Sequence, residues 1–109
     1  MGHVPTTFGK VLPQPTRDEI RLEAVLQALA DPVRLRMVAE LATSNGPIPC
    51  GGFDVEVGKS TVTHHVRTLR EAGVIEVRQI GTARASTLRT EDLDARFPGL
   101  LKGVLSGVD

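Results

Sequence analysis

The sequence predicts a mostly α-helical chain with one small β-hairpin, in the order α-α-α-α-β-β-α, and three observations predict it. Apolar residues recur at helical spacing over residues 17–30, 31–43 and 59–72. Two short runs then follow, at 74–80 and 85–89, the first alternating and rich in β-branched residues. Only three of the 109 residues are aromatic (Phe8, Phe53 and Phe97), so the core is built from Leu, Val, Ile and Ala. A small aliphatic core of this kind often needs a second subunit, and the fold is expected to be dimeric.

Each element has its own local reason. Residues 1–16 contain Pro5, Pro13 and Pro15 and no helical period, so they read as an extended N-terminal arm ahead of one domain at 17–105. The first helix, 17–30, carries Ile20, Val25, Leu26 and Leu29 as an apolar stripe, with Leu22 beside it. Asp31-Pro32 starts the second: Asp31 can cap free backbone N–H groups, and Pro32 suits the first helical position. This helix runs to about Thr43 with Leu35, Val38, Leu41 and Ala42 inward.

Residues 44–52 hold Gly46, Pro47, Pro49, Gly51 and Gly52 and read as loop, with room for one short helix before the next long one. Residues 53–57 alternate like a strand but are too few to decide. From Lys59 the helical period returns and ends at Gly73. Val62, Val66 and Leu69 share its core face; Ser60, His64, Arg67 and Glu71 lie opposite, with Thr63 at the flank. Gly81-Thr82-Ala83-Arg84 reads as the tip of the hairpin. Glu91 to Ala95 starts a last helix, with a break allowed at Phe97-Pro98-Gly99 before the apolar run from Leu100.

Net charge is zero, with 13 basic and 13 acidic residues, but the charge is uneven. Residues 58–89 hold six basic residues (Lys59, Arg67, Arg70, Arg78, Arg84, Arg89) against two acidic ones, for +4, and the rest of the chain carries −4. A basic segment on an acidic body is the asymmetry that polyanion binding needs. No apolar stretch is long enough to span a bilayer, and no secretory signal heads the chain, so no membrane partner is expected. The single cysteine, Cys50, completes neither a disulfide nor a four-ligand zinc site, and the composition fits a reducing, cytoplasmic setting.

A helix-turn-helix followed by a β-ribbon is a winged helix, and its shape suits duplex DNA: a helix fits the major groove, and a hairpin tip lies on phosphates or in the minor groove. LADPVRLRMVAEL (residues 29–41), KSTVTHHVRTLREAGVIEV (59–77) and the later TLR (87–89) together resemble the ArsR family of bacterial winged-helix transcriptional regulators. The resemblance spans residues 17–89, and the block around the long helix is its most specific part. It implies five helices and a two-stranded wing, and a homodimer joined through the first and last helices. It also implies repression by occupying double-stranded operator DNA. On the same resemblance the recognition helix is 59–72 and the DNA-facing positions are Lys59, Ser60, Thr61, Thr63, His64 and Arg67. The wing is 74–89, with Arg84 near its tip.

The chain departs from the family where many members sense metals. IPCGGFDVEV before the recognition helix has one cysteine, and TEDLDARFPGLLKGVL at the end has no histidine, so no metal and no cofactor is expected. His64 and His65 point about 100° apart on a helix, an awkward pair for one ion; His65, toward the core edge, reads as packed or as a phosphate contact. Cys50, in a Gly-flanked loop with no cation predicted nearby, reads as an inert thiol, with an exposed redox switch as the alternative. Arg34 and Arg36 read equally as phosphate contacts or surface ion pairs. Glu91, Asp92 and Asp94 read as an acidic helix start capped by Thr90.

No catalytic residue is expected, because Ser60 and Thr61 have histidines nearby but neither an orienting acid nor an oxyanion pocket. The chain is therefore read as a regulator and not an enzyme; no inducer is legible in it. The alternative is a winged-helix protein–protein interaction module, whose long helix would more often expose Leu, Met or aromatic anchors.

Overall fold

The computed structural model describes residues 9–108. Five α-helices and a four-stranded antiparallel sheet follow in the order β1 (Lys10–Val11), α1 (Leu22–Leu29), α2 (Pro32–Thr43), β2 (Ile48–Pro49), α3 (Lys59–Glu71), β3 (Ile75–Ile80), β4 (Ala83–Leu88), α4 (Thr90–Arg96) and α5 (Leu100–Ser106). Short 3₁₀ turns occupy Arg17–Glu19 and Cys50–Gly52. The expected order is thus corrected to three helices, the hairpin, then two helices. The short helix before the long one is only a single 3₁₀ turn, because Pro49 and the paired glycines 51 and 52 disfavour a longer helical run. The final segment divides at Phe97-Pro98-Gly99, where Gly99 turns the chain at φ 83°.

The first helix is shorter than its apolar stripe suggests. Ile20 and Leu22 stand two positions apart, which one helix would place on different faces. The chain resolves this by breaking: Thr16 and Glu19 close a reciprocal capping box around the 3₁₀ turn, Ile20 is extended and fully buried, and α1 begins only at Leu22. Val25, Ala28 and Leu29 face the core, while Leu22 and Leu26 are 43% and 46% exposed. The start of α2 is as expected, with the Asp31 carboxylate accepting from the Val33 and Arg34 backbone N–H groups at 2.8 and 3.0 Å. Those bonds, that from Arg34 first, hold its pKa below the usual carboxylate value.

α3 ends in a Schellman motif. Gly73 takes φ 85°, its N–H reaches the Arg70 carbonyl at 3.1 Å, and the Val74 N–H reaches that of Leu69 at 3.0 Å. Val62, Val66 and Leu69 face inward as predicted and meet Met37 and Val38 of α2 and Ile75 and Val77 of β3 in one core. Residues 53–58 form neither helix nor strand; Phe53 is buried and the Asp54 N–H bonds the Glu40 carboxylate at 3.1 Å.

The hairpin turn is tighter than the four-residue tip expected. Only Gly81 and Thr82 connect the strands, with Gly81 at φ 64°, the φ pattern of a type II′ turn whose twist matches that of the strands. Ala83 and Arg84 consequently lie in β4, where Arg84 pairs with Gln79.

The hairpin is also not alone, since the sheet order is β1-β3-β4-β2. β2 borders β4, and β1, from the segment read as an extended arm, borders β3 with Lys10 opposite Gln79 and Val11 opposite Arg78. Beyond β1 the chain stays on the domain: the Leu12 N–H bonds the Val77 carbonyl, Arg70 donates to the Pro13 carbonyl, and Arg89 to that of Pro15.

Candidate nucleic-acid interface

The helical period of α3 separates two populations of side chains. Val62, His65, Val66 and Leu69 are buried, and Lys59, Ser60, Thr61, Thr63, His64 and Arg67 are all exposed. Every candidate position on the helix therefore faces outward. Two threonines spend their protons on the helix itself: the Thr63 hydroxyl donates to the Lys59 carbonyl at 3.0 Å, and Thr68 to that of His64 at 3.1 Å. In that rotamer Thr63 presents outward a methyl group and an oxygen with free lone pairs.

The wing faces the same side. A groove of about 300 Å³ lies between α3 and the sheet; Thr63, Arg67 and Arg70 line it from the helix, and Thr82 and Arg84 from the hairpin. Leu12, Val66 and Val77 contribute apolar surface to it. Helix and wing thus present one continuous surface of hydroxyls and guanidinium groups. Arg70 and Thr82 were missed in the sequence. Arg70 had a signal, because it stands one helical turn beyond Arg67; Thr82 had none, because its facing of α3 depends on the turn geometry.

The basic residues divide into two kinds. Arg89 is buried and held by the Asp92 carboxylate at 2.9 Å and the Pro15 carbonyl at 2.7 Å. Arg78 pairs with Glu76 at 2.8 Å, and Arg70 is tied to the Pro13 carbonyl. Lys59, Arg67 and Arg84 have no side-chain hydrogen bond or ion pair among the described residues, and their charge is open to a ligand.

Behind this face, the ambiguity over Arg34 is resolved. Its half-buried guanidinium donates through Nε to the Ala28 carbonyl at the end of α1, and Nη1 lies 3.1 Å from Nδ1 of His65. Arginine only donates, so Nδ1 accepts and the ring proton sits on Nε2. Burial, more than any neighbouring charge, pushes the His65 pKa below its ordinary value; Asp31 opposes that shift, and Arg34 and His64 add to it. Arg34 and His65 therefore form a structural joint between α1, α2 and α3. Arg36 stays exposed beside a cavity of about 460 Å³ whose walls include the Asp54 and Glu56 carboxylates.

The chain is similar in sequence and in shape to known proteins. A helix-turn-helix domain family matches residues 29–78, from the end of α1 into β3. The chain is 32% identical over 87 residues to YceK of Bacillus subtilis, described as an uncharacterized HTH-type transcriptional regulator, and the match covers 78% of this chain and 86% of that one. The chain belongs to the helix-turn-helix-type transcriptional regulators. MJ1325 of Methanocaldococcus jannaschii, described in the same terms, is 30% identical over 59 residues, 53% of this chain and 66% of its own length. A crystal structure of an ArsR family transcriptional regulator has the same fold, with a TM-score of 0.62 at 22% identity over 84% of this chain and 92% of that chain.

Within this DNA-binding regulator the other polar clusters find structural places. Asp92 joins Arg17 at 2.7 Å to Arg89, which fixes the start of α4 against the 3₁₀ turn; Arg89, not Thr90, occupies the N-cap position. Cys50 is half-buried and lines the groove with Arg67, Arg70 and Arg84, so the expectation that it lacks cationic neighbours is corrected. That groove is assembled from three distant segments, which no local pattern around Cys50 reveals. Among the described residues no group of three or more His, Cys, Asp or Glu side chains is placed to hold a metal ion, and no helix is long and apolar enough to cross a membrane.

Proposed function

We propose that the protein represses transcription as a homodimer that occupies a near-palindromic operator in cytoplasmic DNA. The observation that carries this reading is the exposed polar face of α3, opposite its buried valines and continuous across one groove with Arg84 of the wing. Two recognition helices would enter successive major grooves about 34 Å apart.

In this reading Ser60, Thr63 and His64 read base edges. The Thr63 oxygen, its proton already given to the helix, accepts from an adenine or cytosine amino group or turns its methyl to a thymine. Lys59 and Arg67 mix base and phosphate contacts, Thr61 supports the helix start on the backbone, and Arg84 anchors the wing on phosphate. The exposed Leu22 and Leu26 of α1, with the apolar residues of α5, supply the dimer contact.

The test is selection of bound sites from a random-sequence duplex library, followed by anisotropy titrations of the recovered site. The expected site has two half-sites about one helical turn apart. Thr63→Ala and His64→Ala should relax preference at defined positions, and Arg84→Ala should weaken specific and random duplex alike. If Thr63→Ala and His64→Ala both leave affinity and preference intact, the reading face is wrong. If the protein shows no salt-dependent affinity for any duplex, α3 belongs to a protein-docking surface instead.

A further inference from the structure

The N-terminal strand places a cation where the wing meets its ligand. β1 runs antiparallel to β3, and Lys10 is in register with Gln79, which is itself in register with Arg84 on β4. Residues directly opposite one another in an antiparallel ladder point to the same face of the sheet. Lys10, Gln79 and Arg84 therefore form one row across three strands.

The direction of that face follows from two further residues. Arg84 lines the groove against α3, and so does Leu12, which alternation along the chain puts on the same side as Lys10. The neighbouring row, Val11–Arg78–Ala85, points the other way, where Arg78 is occupied by Glu76. Lys10 is exposed and its ammonium has no hydrogen bond or ion pair among the described residues. Two strand spacings separate it from Arg84, about 10 Å, a distance that covers two or three phosphates of one DNA strand along the helix axis.

We propose that β1 makes the wing three-stranded in function and that Lys10, aligned with Arg84 across Gln79, is a second phosphodiester-binding group of the wing. This rests on the DNA-binding reading of α3 and Arg84. The contact is electrostatic and carries no sequence information, so it adds equally to operator and random duplex.

The measurement is the slope of log affinity against log salt concentration for the full chain on a random duplex. Lys10→Ala is expected to reduce its magnitude by about 0.9 per protomer, about 1.8 for the proposed dimer, which means that the dimer's affinity relative to wild type changes about 12-fold between 50 and 200 mM salt. Lys10→Arg should keep the wild-type slope, and a melting transition unchanged in all variants should confirm the fold. Arg78→Gln removes a cation one step along β3 on the opposite face and should leave the slope unaltered. A wild-type slope in Lys10→Ala, with Arg84→Ala reduced, overturns the proposal while sparing the DNA-binding reading. Equal reductions in Lys10→Ala and Arg78→Gln overturn it too, since net charge alone would then be at work. If neither Arg84→Ala nor Lys10→Ala changes the slope, the reading beneath it fails as well.

Discussion

Acidification should loosen this fold through one side chain, His65. The residue is only 7% exposed, its imidazole accepts from Arg34 through Nδ1, and its pKa is lowered chiefly by burial. In the unfolded chain the same ring titrates near its ordinary value, about 6.5. As pH falls below that value the unfolded state takes up a proton that the folded state refuses, so the unfolding free energy declines with pH. The limiting slope for one proton is about 1.4 kcal/mol per pH unit, maintained until the folded pKa is reached. Once protonated, the ring has no Nδ1 lone pair for Arg34, and two cations, on α2 and α3, then face each other. The carboxylates whose pKa values are lowered, Asp31 and Asp92 among them, lose their contributions only as pH falls through the carboxylate range. Above the carboxylate range, the lowered pKa of His65 therefore contributes a decline in stability as pH falls below its unfolded-state value.

Urea unfolding at fixed protein concentration in half-unit steps from pH 7.5 to 5 reads the slope directly. His65→Asn keeps an acceptor near Arg34 without a titrating ring. It should cost about 1–3 kcal/mol at pH 7 through lost packing and should flatten the profile between pH 5 and 7. Equal slopes in wild type and His65→Asn would refute the assignment of that proton to His65.

Two further outcomes follow from packing. Gly73→Ala should destabilise by about 2–4 kcal/mol in the same urea assay, because its φ is 85° and a Cβ there meets Ile20 Cγ1 at 2.7 Å; Gly81→Ala, with φ 64° but nothing within 4 Å, should cost only about 1 kcal/mol. Equal costs would show that strain at φ, not the Ile20 contact, governs both sites. If the chain forms the proposed homodimer, Leu26→Glu, on the exposed side of α1, should leave helix content unchanged and shift sedimentation equilibrium toward monomer; an unchanged association constant would overturn the proposed α1 contact.

What was legible in the sequence was local. The spacing of Val62, Val66 and Leu69 set the inner face of α3 and hence the outer positions of Ser60, Thr63, His64 and Arg67, because the helical period needs no knowledge of distant chain. Asp31-Pro32 likewise marked the start of α2 through bonds spanning two and three residues. The errors arose where two segments far apart in sequence meet. Ile20 leaves the helical stripe because Gly73 offers it room beneath the end of α3, and β1 joins the sheet through pairing with residues 78 and 79. A proline-rich arm shows no periodicity from which such pairing can be read.

Charge marks the boundary between those two kinds of information. Six basic residues in 58–89 gave the region its +4. Yet Arg89 is spent on Asp92 and a carbonyl, Arg78 on Glu76, and Arg70 on the Pro13 carbonyl, whereas Lys10, outside the counted window, joins the groove side of the wing. Phosphate binding responds to guanidinium and ammonium groups left free by the fold, and that number is set by tertiary partners. A net charge computed over a window weighs a buried arginine and an open one alike. The salt slope counts only the open ones, which is why it is the measurement that tests this interface most directly.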